Sequence, residues 1–199
     1  MSVLKTERMR LEPWAPGHAG MLARLAARRE VMRYVGAGVT WTAAEAEQRS
    51  ARALVHWRTQ GFGWRAAVER AGGRAVGLIA LNVAGPEIPE LADDDYEIGW
   101  WIEPESWGRG YATEGGRAIV DEAFARLGAP SVVARIQPVN VASTRVAAAL
   151  GLTPERDVVD RHGEPIRIHR LANPNLGQRS GSNRAARGAG RGAARTGHG

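Results

Sequence analysis

The sequence predicts a mixed α/β to α+β fold, a single sheet with helices on both faces, and three observations lead to it. Apolar residues alternate at period two in some runs and recur at helical spacing in others, the two kinds of run follow one another along the chain, and turn signals separate them. The chain has 199 residues, 44% of them hydrophobic, which suffices for one sizeable core and favours one domain over two.

Met9-Arg-Leu-Glu-Pro-Trp14 reads as a short first strand, and Met21, Leu22, Leu25 and Ala26 then share one helical face. Thr42-Ala-Ala-Glu45 has the spacing of a capping box, opening a helix to about Thr59 with Ala46, Ala53, Leu54 and Trp57 as its stripe and Gly61-Phe-Gly63 as its end. Two β-rich runs, Trp64 to Glu69 and Ala75 to Val83, flank Arg70-Ala-Gly-Gly-Arg74, a hairpin turn that makes them antiparallel neighbours. In the next strand Tyr96, Ile98, Trp100 and Ile102 face one way and Glu97, Gly99 and Trp101 the other. A helix from Tyr111 to about Leu127, a strand from Ser131 to Gln137, a helix from Asn140 to Leu150 and a final strand pair near Asp157 and over Ile166 to Leu171 complete the order βααβββαβαββ.

Composition excludes several kinds of chemistry. Without cysteine there is no disulfide, zinc-thiolate site or cysteine nucleophile. No apolar run reaches the roughly 18 to 20 residues of a membrane span and the first residues lack the apolar centre of a signal peptide, so a cytoplasmic protein without membrane contact is expected. Of the formal net charge of +6, five charges are Arg179, Arg184, Arg187, Arg191 and Arg195, which leaves residues 1–172 almost neutral. Residues 173–199 are mostly Gly, Ala, Ser and Arg with only Leu176 to bury, and are expected to be a disordered tail able to touch nucleic acid or the ribosome weakly. Five scattered histidines show no ligand spacing, so no metal is expected. Trp57 and Trp100 fit apolar faces, whereas Trp41, Trp64 and Trp101 are candidates to line an acceptor site.

Gly108-Arg-Gly110, between a strand and a helix, is the most informative stretch. Free N–H groups at a helix start and the helix dipole attract an anion, phosphate above all, although the same glycines also serve a simple tight turn. A Walker A loop is excluded because Tyr111-Ala112 follows Gly110 in place of Lys-Ser/Thr. A dinucleotide fingerprint fails too, since Thr113 stands at its third glycine and Val132 to Gln137 supplies no acid.

Trp107-Gly-Arg-Gly110-Tyr-Ala112, Glu97-Ile-Gly-Trp100, Pro104-Glu-Ser-Trp-Gly-Arg-Gly-Tyr-Ala-Thr-Glu114 and Asn140-Val-Ala-Ser143 together resemble the GNAT superfamily of acetyl-CoA-dependent N-acetyltransferases. They are most similar to the RimJ/RimL branch of ribosomal-protein N-terminal acetyltransferases. Trp107 departs from the Gln/Arg of the superfamily loop in the way this branch does, and the resemblance runs from about Thr6 to Leu171. It implies a mainly antiparallel twisted sheet with a splayed acetyl-CoA cleft, and acetyl transfer to a primary amine, either a protein N-terminus or a small molecule. It further implies that Trp107, Gly108, Arg109, Gly110, Tyr111, Ala112 and Thr113 bind the pyrophosphate, that Trp100, Trp101 and Ile102 pair with the pantetheine arm, and that Asn140 contacts that arm while capping its helix. Glu97 is the candidate base, with a solvent-exposed strand glutamate as the alternative. Ser143 is the candidate acid or thioester-orienting group, with helix capping as the alternative. A monomer or homodimer is expected. The competing functions are a non-catalytic acetyl-CoA sensor or adaptor and an RNA-associated protein acting through the tail.

Overall fold

The computed structural model describes residues 2–84, 88 and 90–176. Its elements are β1 (Leu4–Lys5), β2 (Met9–Pro13), α1 (Ala19–Ala26), α2 (Arg29–Met32), α3 (Ala43–Gln60), β3 (Arg65–Glu69), β4 (Ala75–Val83), β5 (Tyr96–Ile102), α4 (Tyr111–Ala125), β6 (Ser131–Ile136), α5 (Val141–Ala149), β7 (Thr153–Val159) and β8 (Pro165–Ala172). The strands form one eight-stranded sheet in the order β1-β2-β3-β4-β5-β6-β8-β7. Every neighbouring pair is antiparallel except β5 and β6, which α4 connects as a crossover.

Local chemistry accounts for the boundaries. Thr42 Oγ1 accepts from the Glu45 amide at 3.2 Å and Glu45 Oε2 accepts from the Thr42 amide at 2.8 Å, the reciprocal cap expected of this sequence. At the other end of α3, Gly61 takes φ 71°, the left-handed conformation that stops the helix. The β3–β4 connection turns through Gly72 and Gly73, as the hairpin signal anticipates.

Each face of the sheet carries its own apolar layer. Leu11, Ile79, Ile98, Ile119, Val132 and Ile136 are among the residues packed between the sheet and the α4/α5 side. Trp14, Leu22, Leu25, Trp57, Ala66 and Leu78 are among those packed against α1 and α3. Fully burying a Leu or Ile contributes about 1.5–3 kcal/mol, so these layers hold the helices in place. The alternation read for β5 is observed, with Ile98 and Trp100 in the first layer and Trp101 in the second. A third, smaller cluster of Ala84, Leu91, Val133, Ile166 and Ile168 fastens the β4–β5 loop over β6 and β8 on the α3 side.

An ion pair crosses the first layer. Arg65, 1% exposed, gives Nη2 to Glu122 Oε1 at 2.7 Å and Nη1 to the carbonyl of Leu11 at 3.2 Å, tying β2 and β3 to α4.

The tail read from residue 173 begins with a docked residue. Asn173 is buried, its amide donates to the Pro130 carbonyl at 2.8 Å, and its side chain donates to the Ala129 carbonyl at 2.9 Å. Residues 177–199, with all five tail arginines, lie outside the described residues. No helix among the described residues is long and apolar enough to cross a membrane.

Candidate active site

The β5–β6 ladder holds only two residue pairs, Tyr96↔Val132 and Glu97↔Val133. Beyond them β6 stays with β8 to Ile136 while β5 stays with β4 to Ile102, so the two strands part. The β6-facing edge of Ile98 to Trp101 is therefore left without a ladder partner. On the α4/α5 side, Trp100 Nε1 donates to Ser143 Oγ at 3.3 Å. Ser143 is held there by the start of α5, where Asn140 Oδ1 accepts from the Ser143 amide at 3.1 Å. Asn140 is thus the cap, and the Ser143 hydroxyl is not used for capping.

The loop after β5 is fixed at both ends. Trp107, 51% exposed, donates its indole N–H to the Ile102 carbonyl at 2.7 Å and so binds the loop back to the strand. Gly108 and Gly110 take φ of 72° and 77°, and Gly110 is the N-cap of α4. An added Cβ at Gly110 would stand 3.4 Å from Arg8 Nη2, an ordinary contact, so the left-handed backbone is the stronger local reason for glycine. The amides of Tyr111, Ala112 and Thr113 stand in the first turn of α4, where no preceding helical carbonyl can take them.

Arg8, in the turn between β1 and β2, secures the glycine turn. Its Nη1 donates to the Arg109 carbonyl at 2.7 Å, and its Nη2 stands 2.7 Å from Glu114 Oε2. Glu114 also accepts from the Arg8 amide at 2.8 Å and from Thr6. Burial works against the Glu114 carboxylate, yet these hydrogen bonds and the Arg8 charge prevail and hold its pKa below the ordinary value. The one acid of the first turn is therefore spent on Arg8 and Thr6. Tyr111 is buried and its hydroxyl donates to Glu69 Oε1 at 2.7 Å, which raises the phenol pKa; it anchors the helix start through its side chain.

On the α3 side of the sheet, Glu97 Oε1 accepts from Arg135 Nε at 2.8 Å. Asn82, the β4 partner of Glu97, accepts from Trp64 Nε1 at 3.1 Å. Trp101 lies 5.1 Å from Trp41 and 6.1 Å from Trp64, ring centre to ring centre, and Arg49 stacks 3.9 Å over Trp41. Trp41, Arg49, Arg52, His56, Trp64 and Asn82 line a cavity of about 260 Å³. Between Glu97 and Trp101 on that face, Gly99 has open space where a side chain would stand. Burial lowers the His56 pKa.

The structure thus brings Glu97, Trp100 and Ser143 to the point of divergence and places residues 107–113 at the start of α4. Trp100 serves the α5 side and Trp101 the opposite side. Sequence reasoning missed Arg8 and Arg135. Arg135 had a signal: flanked by Ala134 and Ile136 within an apolar strand, it falls on the same face as Glu97 once β5 and β6 are taken as parallel.

Comparison with known proteins agrees with this geometry. A family model described as an acetyltransferase (GNAT) domain matches residues 8–153. The chain is 34% identical over 164 residues to an FsC-acetyl coenzyme A-N(2)-transacetylase of Aspergillus fumigatus, covering 81% of this chain and 69% of that protein. An acetyltransferase structure from Agrobacterium tumefaciens superposes with a TM-score of 0.73 at 27% identity, covering 86% and 94% of the two chains. The structure of RimL, the ribosomal L7/L12 α-N-protein acetyltransferase, in complex with coenzyme A has the same fold, with a TM-score of 0.70 at 13% identity and coverage of 86% and 98%. With the parted β5 and β6, the glycine turn before α4 and the match over residues 8–153, the chain belongs to the GNAT acetyltransferase family and is an N-acetyltransferase that uses acetyl-CoA.

Proposed function

We propose that this enzyme moves the acetyl group of acetyl-CoA onto a primary amine, a protein N-terminus or a small molecule, between β5 and β6. One observation carries the reading: the β5 edge left bare after Glu97↔Val133 leads to a glycine turn and a helix start with unused amides. Amides from Arg109 to Thr113 suit the pyrophosphate, with the helix dipole favouring its charge and Arg109 adding to it. The pantetheine arm fits as an extra strand along Trp100 to Ile102, where a sheet edge offers main-chain hydrogen bonds.

In the transfer the amine nitrogen bonds to the thioester carbonyl carbon as the C–S bond breaks; one proton leaves the nitrogen and one reaches the sulfur. Glu97 is the group we assign to the first proton, directly or through water, and Ser143 to the second or to orienting the thioester. Trp41, Trp64 and Trp101 border the amine's approach from the α3 side. Turnover of acetyl-CoA against N-terminal peptides, polyamines, amino acids and aminoglycosides, with mass detection of the product, tests the assignment. An acetylated amine is expected, and hydrolysis alone would contradict it.

A further inference from the structure

The cavity of about 260 Å³ on the α3 side is lined by cations and indoles and by no acid. Arg49, Arg52, Ala53 and His56 stand at i, i+3, i+4 and i+7 and so share one face of α3, and Trp41, Trp64 and Asn82 complete the lining. Arg49 lays its guanidinium 3.9 Å over the Trp41 ring, and Arg52 is exposed. Among the described residues neither arginine makes a hydrogen bond or ion pair with the rest of the chain. Glu45, one turn before Arg49, spends Oε2 on the Thr42 amide and hydroxyl at 2.8 and 2.9 Å. Burial lowers the His56 pKa, so at neutral pH the positive charge of this wall is that of the two arginines.

Hydrogen bonds and ring contacts fix the walls. Trp64 Nε1 donates to Asn82 Oδ1 at 3.1 Å, the Trp64 carbonyl accepts from Trp57 Nε1, and the Trp41 amide donates to the Ala26 carbonyl at 3.0 Å. Trp101 packs against both Trp41 and Trp64. Asn82 brings the cavity to the point where β5 and β6 part, since it is the β4 partner of Glu97, and Gly99 leaves open space on the same face. Glu97 holds Arg135 Nε at 2.8 Å and is not the countercharge of Arg49 or Arg52. Two guanidinium groups therefore face a cavity that supplies no anion of its own.

We propose that this cavity receives the non-reacting part of the acceptor and that this part carries a carboxylate bound by Arg49 and Arg52. This rests on the acetyl-transfer reading above and narrows its acceptor to a small amine with an anionic group on a flat apolar body. A polyamine or an aminoglycoside would bring further positive charge against the two guanidinium groups. A guanidinium matches a carboxylate through two parallel N–H···O bonds, and one stacked on an indole is held in place with its N–H edge free. Indole faces suit a flat body, and the volume agrees, because a cavity of ~150 Å³ already holds a benzene ring.

Three amines on one benzyl frame provide the test: para-(aminomethyl)benzoate, its neutral amide para-(aminomethyl)benzamide, and para-xylylenediamine, each with the full chain at saturating acetyl-CoA. Wild type should use the carboxylate with kcat/KM at least about tenfold above the amide, the gain expected of a charge-assisted hydrogen bond, and the diamine should be the poorest. Arg49→Gln/Arg52→Gln should bring the carboxylate-to-amide ratio close to one, and Arg49→Lys/Arg52→Lys should recover part of it. Arg52→Gln alone, at an exposed residue without a partner in the fold, should lose part of the ratio with an unchanged melting temperature. A diamine preferred over the carboxylate, or a ratio that survives the double change to glutamine, overturns the proposal. Tryptophan fluorescence titrated with para-toluate, which has no amine, separates the site from the acetyl-transfer reading. Saturable quenching that weakens at least about tenfold in the double glutamine variant supports the anion site even where no amine is acetylated, a result that removes the transfer reading and not the site. Equal quenching in both proteins overturns the site.

Discussion

The indole N–H of Trp100 donates to the hydroxyl of Ser143 at 3.3 Å, joining β5 to the first turn of α5 where β6 has turned away. An indole nitrogen can only donate, so the serine oxygen is the acceptor and its own proton is left for another group. That proton is the one the role proposed for Ser143 requires.

Ser143→Ala should accordingly lower turnover while leaving stability nearly intact, because the α5 cap uses the Ser143 amide and not its hydroxyl. Asn140→Ala should behave differently and cost about 1 kcal/mol of stability through loss of the cap. Thermal melting beside steady-state rates of the two variants checks this. Equal destabilisation by both would contradict the assignment of roles.

Glu97→Gln should reduce turnover by ~10² to 10⁴, the usual range for losing a general base, with acetyl-CoA binding preserved. Near-normal turnover in the variant would transfer proton removal to solvent, leaving proximity as the main source of acceleration.

The buried pair of Arg65 and Glu122 makes a prediction about stability. Arg65 is 1% exposed, burial lowers its pKa, and the Glu122 charge at 2.7 Å opposes that shift. Glu122→Gln should destabilise by about 3–5 kcal/mol, because it leaves a buried guanidinium without its countercharge. Replacing both residues by apolar ones of similar volume should cost less than the single change, as chemical denaturation can measure.

Stability should also depend on acid through Asp95. The hydrogen bond from Arg170, foremost, holds the Asp95 carboxyl below its ordinary value despite its burial. The unfolded chain then binds this proton at higher pH than the folded one does. The stabilisation is complete above the unfolded value of about 3.9 and is lost as pH falls through the lower folded value. Asp95→Asn should flatten denaturation midpoints between about pH 4 and pH 2; an unchanged slope would contradict it.

Local signals make much of the fold legible in the sequence. The Thr42 to Glu45 box, Gly61 and the alternation from Tyr96 to Ile102 each act within a few residues, and each appears where the sequence places it. β1, with two residues, and α2, with four, are too short to show a period, and tertiary packing forms them. Residues 107–113 are legible because a turn and a helix start leave a local signature. Arg8 and Arg135 are not, because their roles come from contacts between distant segments, Arg8 with Arg109 and Arg135 with Glu97.

Calorimetric titration of acetyl-CoA into wild-type protein and Gly110→Glu, each shown to be folded by circular dichroism, addresses the cofactor site most directly. A carboxylate added at the N-cap of α4 would stand among the amides of Arg109 to Thr113 and oppose an anion there. Wild type should bind and the folded variant should not; equal affinity in both proteins would contradict the placement of the pyrophosphate at this turn.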